Sequence, residues 1–221
     1  MSAEVTGGAG VTSSAEVTSL AELDELIGVP MPWIAEKARD RLDAIDKEWI
    51  AHSPFCLVAT SAADGTCDVS PKGDPAGFVR VLDDHTLAIP ERPGNRRIDG
   101  YRNMVTNPHI GILFLVPGRT DTLRVNGRVR VLRDAPYFDD MVVKGHRPLL
   151  AAEVTVEEIF YHCAKSFLRS HLWKPEEWRP DALPSRAKIV QALERTSDPL
   201  EEVQAYYESP SYNDGLYKQN L

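Results

Sequence analysis

Residues 55–72 read FCLVATSAADGTCDVSPK, and this segment is the strongest indication of the fold class. An apolar run, FCLVATS, is followed by AADG and then by the alternating run TCDVSPK. Asp-Gly between two such runs is a strong signal for a β-hairpin. We therefore predict two antiparallel strands, at residues 55–61 and 66–72, joined by a tight turn.

This hairpin is the first of three predicted strand pairs. Residues 77–82 and 85–90 flank an Asp-Asp turn, and residues 109–116 and 120–132 flank Pro-Gly-Arg. One more strand is predicted at residues 151–156, or slightly longer. No region alternates strands with helices as a doubly wound sheet requires. The pattern predicts a mainly β (α+β) fold, a six-stranded antiparallel β-barrel with flanking helices.

The helices are predicted from caps and from apolar spacing. Ser19 is a candidate N-cap, with Glu22 at the capping-box position and Gly28 at the end. Apolar residues at three- and four-residue steps predict a long helix from about residue 33 to residue 52. Further helices are predicted at residues 95–106, 134–144 and 199–207, and a helix or turn at residues 162–173.

The domain organisation follows from composition along the chain. Residues 1–18 are small and polar and predict a disordered tail. Residues 19–178 hold all the predicted strands and form the domain. Residues 179–221 are acidic and rich in proline, and we expect them to pack on the domain or on a partner subunit.

Composition excludes several classes of function. The 221 residues suffice for one domain with a sizeable core, and the net charge of −8 leaves no broad basic field for nucleic acid or anionic membranes. Three widely spaced cysteines match neither a disulfide framework nor a zinc pattern. With no signal peptide and no long apolar run, we expect a cytoplasmic protein with neither nucleic acid nor a membrane as partner.

The first candidate binding segment is the turn Ser70-Pro71-Lys72-Gly73 at the end of the second predicted strand. Lysine offers an ammonium, serine a hydroxyl, and glycine a backbone N–H that a ligand can approach closely. These groups suit a phosphate or the polar edge of a heterocycle. An ordinary turn with an exposed lysine also explains the segment.

The second candidate segment is residues 90–97, PERPGNRR, which lead into the helix predicted from Asn95. Arg96 and Arg97 would then lie in its first turn, where the helix dipole disfavours each exposed cation by about 0.3–1 kcal/mol. A sequence that accepts this cost is expected to bind an anion, and arginine matches phosphate oxygens. The alternative is a solvated basic patch paired with Asp99 or Glu91.

A third segment is the strand that carries Arg124, Asn126 and Arg128 on one face. Such a polar face on a central strand either lines a ligand site or meets water.

The fourth segment, residues 161–173, reads YHCAKSFLRSHLW. Cys163 beside His162 and Lys165 could be a thiol of low pKa. A zinc site built from His162, Cys163 and His171 lacks a fourth ligand. Packing of this segment over a ligand is the interpretation we favour, and we nominate no metal ligand and no catalytic residue.

Taken together, these segments resemble the pyridoxamine-phosphate-oxidase-like group of FMN-binding split β-barrels, in its branch of FMN-dependent enzymes. The order and spacing of four stretches between residues 33 and 178 carry the resemblance: FCLVATSAADGTCDVSPKGD, LAIPERPGNRRIDGYRNMVTNPHIGILFLVPG, TLRVNGRVRV and HCAKSFLRSHLW. The resemblance implies a split barrel and a homodimer with two FMN sites at the subunit interface, each lined by both subunits.

The resemblance also implies which residues bind FMN. The strand end at residues 70–73 would flank the isoalloxazine and ribityl chain, the turn at residues 89–90 would approach the flavin, and residues 95–97 would hold the phosphate. The strand at residues 122–127 and the segment around residues 165–173 would close the site from the partner chain. The implied cofactor-binding residues are Ser70, Pro71, Lys72, Gly73, Ile89, Pro90, Asn95, Arg96, Arg97, Thr122, Arg124, Asn126, Lys165 and Trp173.

The implied activity is FMN-dependent oxidoreduction of a small molecule, with NAD(P)H as a candidate electron donor. The chain departs from the true oxidase, however. Ser70-Pro71-Lys72 replaces its arginine-to-lysine phosphate clamp, and its C-terminal substrate-binding stretch is not recognisable. We therefore expect a substrate other than pyridoxamine phosphate. A flavin carrier or sensor, or a barrel that binds a deazaflavin or haem, remains the alternative.

Overall fold

The computed structural model describes residues 15–218, and the chain divides between Lys37 and Ala38 into two compact units. The first unit contains α1 (Leu20–Ile27) and α2 (Pro32–Ala35). The Ser19 side chain accepts a hydrogen bond from the backbone N–H of Glu22, and Gly28 ends α1 at φ 83°, as predicted. Most of the predicted tail, residues 1–14, lies outside the described residues.

The predicted continuous helix over residues 33–52 is wrong. α2 ends at Ala35, and the next helix, α3 (Ala44–His52), begins only after Asp43. The Asp46 carboxylate accepts the backbone N–H of Asp43 at 2.8 Å, a contact that starts a new helix, and the backbone of Arg39 pairs with Ile159 in an antiparallel bridge. The apolar spacing does not reveal this break, because the three- and four-residue steps continue across residues 36–43.

Seven strands form one antiparallel sheet. In chain order they are β1 (Phe55–Ser61), β2 (Cys67–Gly73), β3 (Arg80–Val81), β4 (Thr86–Pro90), β5 (His109–Leu115), β6 (Thr122–Leu132) and β7 (Ala151–His162), with α4 (Asp99–Thr106) between β4 and β5. Their order in the sheet is β2-β1-β5-β6-β7-β4-β3. The predicted hairpin is confirmed, since Phe55 lies opposite Gly73 and Ser61 opposite Cys67.

The prediction of six strands is therefore corrected to seven. β7 has twelve residues and is twice as long as predicted, because it pairs with β6 along its length and with β4 through its first half. In contrast, β3 shrinks to two residues.

A β-bulge bends the sheet at its centre. Asn126 lies opposite Glu158, whereas Gly127 lies opposite Val156, so that Glu157 is an extra residue of β7. A Cβ atom on Gly127 would stand 2.0 Å from the carbonyl oxygen of Thr155. Only glycine permits this close approach, and such bulges increase the local twist and bend of a sheet.

The core lies on the inner face of the curved sheet. Side chains alternate strictly along β5, where Ile110, Ile112 and Phe114 are buried. Ile50 of α3 and Met104 of α4 complete the same cluster. Burial of this apolar surface is the main stabilising contribution to the fold.

The C-terminal part is helical. The helix predicted at residues 134–144 is a 3₁₀ segment, Pro136–Met141, which buries Phe138 and Met141. It is followed by α5 (Lys165–Ser170), α6 (Arg186–Leu193), α7 (Leu200–Glu208) and α8 (Pro210–Asp214), with 3₁₀ turns at Pro175–Glu177 and Pro180–Ala182. α7 was predicted, and α6 was not. Within residues 15–218, no helix has the length and apolar character needed to cross a bilayer.

Replacing Gly127 with alanine tests the bulge. The new Cβ would collide with the Thr155 backbone, which cannot move without breaking the sheet. We expect Gly127→Ala to lower the free energy of unfolding by at least about 2 kcal/mol in urea titrations. The matched control is Gly94→Ala, where nothing lies within 4 Å of the added atom. Equal stabilities of the two variants would contradict the close approach at the bulge.

Acid stability tests the ion pair between Arg39 and the buried Asp46. Burial of Asp46 alone would raise its pKa, but the hydrogen bonds from the Arg39 guanidinium outweigh this and hold the pKa below the ordinary value of 3.8. The pair therefore stabilises the fold fully above about pH 4, and this contribution is lost as pH falls through the folded-state pKa.

We expect wild type to be more stable than Asp46→Asn at neutral pH, and the difference to shrink below about pH 4. Urea unfolding of both proteins across this range measures it. A difference that stays constant down to the lowest pH would show that the carboxylate charge contributes nothing.

Candidate functional site

The two ends of the sheet are joined by ion pairs. Lys72 Nζ of β2 lies 2.6 Å from Glu91 Oε2, and Arg92 Nε lies 2.5 Å from Asp74 Oδ2. Lys72 and Asp74 belong to one edge of the sheet, whereas Glu91 and Arg92 directly follow β4 near the other. The side chains are well shielded, with 18% and 24% of their surface exposed in the first pair and 14% and 1% in the second.

A cavity of about 410 Å³ lies where these ends meet. Its wall is formed by β2, by the loop after β4, and by the start of α4. The lining residues are Asp68, Val69, Ser70, Pro71, Lys72, Gly73, Phe78, Pro90, Glu91, Arg92, Pro93, Gly94, Asn95, Arg97, Asp99 and Gly100. A cavity of this volume suits a small molecule or a cofactor.

Half of the predicted binding residues meet in this cavity. They are Ser70, Pro71, Lys72, Gly73, Pro90, Asn95 and Arg97. Along β2, Asp68, Ser70 and Lys72 turn to the half-buried inner side of the strand, and Val69 and Pro71 are exposed. The side chain of Ile89 is buried in the core instead, at 1% exposure.

The loop before α4 differs from its prediction. The helix begins at Asp99 rather than at Asn95, so Arg96 and Arg97 precede it and its first turn carries an acidic residue. The inference from cations at the helix dipole is therefore wrong. Arg97 pairs with Asp99 at 2.5 Å, as the alternative interpretation held, and it lines the cavity, whereas Arg96, at φ 62°, does not.

The residues predicted on β6 lie on another face. Arg124 and Asn126 are half-buried on the outer face of the sheet, and Thr122 is buried at the start of the strand. Arg124 Nε donates to Asn126 Oδ1 at 3.3 Å, and the Asn126 amide donates to Glu158. None of these side chains lines the cavity of their own chain.

Lys165 and Trp173 also lie outside the lining of the cavity. Lys165 begins α5 and is exposed. Trp173 Nε1 donates to the carbonyl oxygen of Arg119 at 2.6 Å, and its ring stacks on Phe167 at 6.0 Å. The structure therefore gives this tryptophan a packing role within its own chain.

Cys163, on which the thiol and zinc alternatives depend, is exposed. In the part of the chain that the structure describes, no three His, Cys, Asp or Glu side chains are arranged to hold a metal. Burial raises the pKa of the Cys56 thiol to about 12, which leaves it protonated and unreactive.

Several residues in and around the site were not predicted from the sequence. Arg92 and Glu91 line the cavity, and Tyr101 of α4 is buried with its ring centroid 5.2 Å from Lys72 Nζ. Burial raises the pKa of Tyr101, and the neighbouring Glu91 carboxylate adds to the shift, so the phenol stays protonated. Residues 90–97 carry several charges, but the sequence does not reveal that Glu91 pairs with Lys72 of β2 and Arg92 with Asp74 directly after it.

Comparison with solved structures found weak likenesses over about half of the chain. HupZ from Group A Streptococcus is 25% identical, with 54% of this chain and 93% of that chain covered at a TM-score of 0.44. An FMN-binding protein from Syntrophomonas wolfei is 14% identical (54% and 89% covered, TM-score 0.41). The heme storage protein HutZ from Vibrio cholerae is 15% identical (55% and 94% covered, TM-score 0.40).

Among curated proteins, the comparison found no match. The match to a family is clear, however. Residues 42–163, more than half of the chain, fit the family described as pyridoxamine 5'-phosphate oxidase, and they contain the whole sheet and the residues that line the cavity. The chain therefore belongs to the pyridoxamine 5'-phosphate oxidase family.

Proposed function

We propose that the protein is a cytoplasmic FMN-dependent oxidoreductase that transfers hydride between a donor such as NAD(P)H and a small organic acceptor. The observation that carries the proposal is the cavity, which gathers three cationic side chains beside a strand end within a family of oxidases. When bound, FMN supplies the redox chemistry, and the protein supplies binding and orientation. We therefore assign no general acid or base to the chain.

The cavity residues fit the phosphate of FMN. Lys72, Arg92 and Arg97 all line the cavity, and arginine binds phosphate oxygens through charge-assisted hydrogen bonds. Arg97 is the most available of the three, because 79% of its side chain is exposed. Exposed ion pairs contribute only about 0–1 kcal/mol, so Arg97 can exchange Asp99 for a phosphate at little cost.

The same cavity fits the flavin ring. The buried Phe78 and Pro90 give it an apolar surface on which a flat heterocycle can lie. The Ser70 hydroxyl and the backbone of Gly73 offer hydrogen bonds to the polar edge of the ring.

We further propose a homodimer whose second copy covers the outer face of the sheet. One cross-strand row on this face joins Leu57, Leu113, Arg124 and Phe160, three of which are apolar and half-buried. Val69, on the adjacent edge strand, is 60% exposed. If this outer face met only water, its positions would be expected to carry polar residues.

In this dimer, the β6 residues and residues 165–173 of one subunit contact FMN in the cavity of the other subunit. Such a contribution accounts for their position outside the cavity of their own chain. The substrate is proposed to differ from pyridoxamine phosphate, because the phosphate clamp and the C-terminal stretch of the true oxidase are missing.

None of the described residues that line the cavity of one chain is a His, Cys, Met or Tyr, the protein ligands of haem iron. Because we propose that a second subunit completes the cavity, the visible absorbance of the purified protein decides between a flavin and haem. A flavin carrier without turnover has the same binding site, and only a redox measurement separates it from an enzyme.

Phosphate binding is tested by a pair of neighbouring arginines. We expect Arg97→Ala to weaken FMN binding by about 1.5–3 kcal/mol, or roughly 10- to 150-fold, because a charge-assisted contact is lost. Arg96→Ala is the matched control and should change affinity less, since Arg96 does not line the cavity. Fluorescence titration of FMN measures both. Wild-type affinity of Arg97→Ala would refute the phosphate assignment.

Turnover is tested with the FMN-loaded protein. We expect NADH or NADPH to bleach the flavin absorbance under anaerobic conditions, and an added acceptor to restore it. A protein that binds FMN tightly but is bleached by neither nucleotide would instead be a carrier or sensor, or would use another electron donor.

A further inference from the structure

The C-terminal segment is tied to the wall of the cavity through one tyrosine. The Tyr217 hydroxyl donates a hydrogen bond to Asp74 Oδ1, and the other oxygen of this carboxylate accepts the Nε–H of Arg92. Only 1% of the Asp74 side chain is exposed. One buried carboxylate thus joins the end of the chain to an arginine that lines the cavity.

Arg92 is held at two of its donor groups. Nε donates to Asp74 at 2.5 Å, and Nη2 donates to the carbonyl oxygen of Met141 at 2.7 Å. A guanidinium has five N–H groups in one plane, so these two bonds fix the plane and leave three N–H groups for a ligand. An arginine fixed in this way loses little conformational freedom when an anion binds.

The ring of Tyr217 is docked separately from its hydroxyl. Arg92 Cζ lies 5.8 Å and Lys144 Nζ 5.4 Å from the ring centroid, and the His146 ring stacks at 6.4 Å. Cation–π contacts of this kind do not need the hydroxyl. A phenylalanine at this position therefore keeps the ring contacts and removes only the hydrogen bond to Asp74.

We propose that Tyr217 is a positioning residue that, through Asp74, orients Arg92 toward the phosphate group of FMN in the cavity. The proposal rests on the function proposed above. It gives the C-terminal segment, which no sequence motif explains, a role in assembling the binding site.

The test compares FMN with riboflavin, which lacks the phosphate. We expect Tyr217→Phe to weaken FMN binding about tenfold, the size expected for one lost hydrogen bond to a charged group, and to change riboflavin binding less than about twofold. In an Asp74→Asn background the same substitution should have less than about a twofold effect, because the relay is already broken. The matched control, Tyr212→Phe, removes the hydroxyl of a ring that packs on Tyr206 and Tyr207 and should bind FMN as wild type does.

A second measurement does not depend on flavin binding. In protein labelled with ¹⁵N-arginine, the Nε–H signal of Arg92, identified by its loss in Arg92→Lys, should exchange with solvent about tenfold faster in Tyr217→Phe, since Asp74 no longer holds it rigidly. Unchanged exchange, FMN affinity within twofold of wild type, or equal losses for FMN and riboflavin would each overturn the positioning role. If wild type itself does not bind FMN, the proposed function fails, and the exchange rate alone decides whether Tyr217 orients Arg92.

Discussion

The ion pairs Lys72–Glu91 and Arg92–Asp74 hold together two parts of the sheet that hydrogen bonds between strands do not connect. β2 stands at one edge of the sheet, and the end of β4 projects beyond the two paired residues of β3 at the other. Removing one partner from a buried pair leaves an uncompensated charge and typically costs about 3–5 kcal/mol. These ion pairs therefore hold the end of β2 against the loop after β4, and the cavity lies between these two segments.

The cations of these two ion pairs also line the cavity. The side chains of Lys72 and Arg92 are already shielded from water by their carboxylate partners, so a bound ligand would cover little more of them. The side chain of Arg97 is exposed. A bound anion would therefore find two fixed cations and one adaptable cation. Fixed groups give orientation, and the adaptable group can turn to the ligand while the two shielded ion pairs stay intact.

The bend that brings the edges together begins elsewhere, at the bulge opposite Gly127. The extra residue Glu157 and the absence of a side chain at Gly127 let β6 and β7 approach closely and turn. Asn126, next to this bulge, donates a hydrogen bond to Glu158 on the outer face. This bulge thus affects both the inner face of the sheet, where the cavity lies, and the outer face, which we propose the second subunit covers.

The hairpin at residues 55–73, most of the strands, the first helix cap and the family could be predicted from the sequence, because turn chemistry and alternation act over a few neighbouring residues. The sequence also located the two segments, residues 70–73 and 90–97, that meet in the cavity. The folded chain was needed to show that α4 starts at Asp99, that Arg92 pairs with Asp74, and that Tyr217 reaches the same carboxylate. Asp74 and Tyr217 are 143 residues apart. Contacts over such distances depend on how the whole sheet curves, and no local pattern in the chain encodes them.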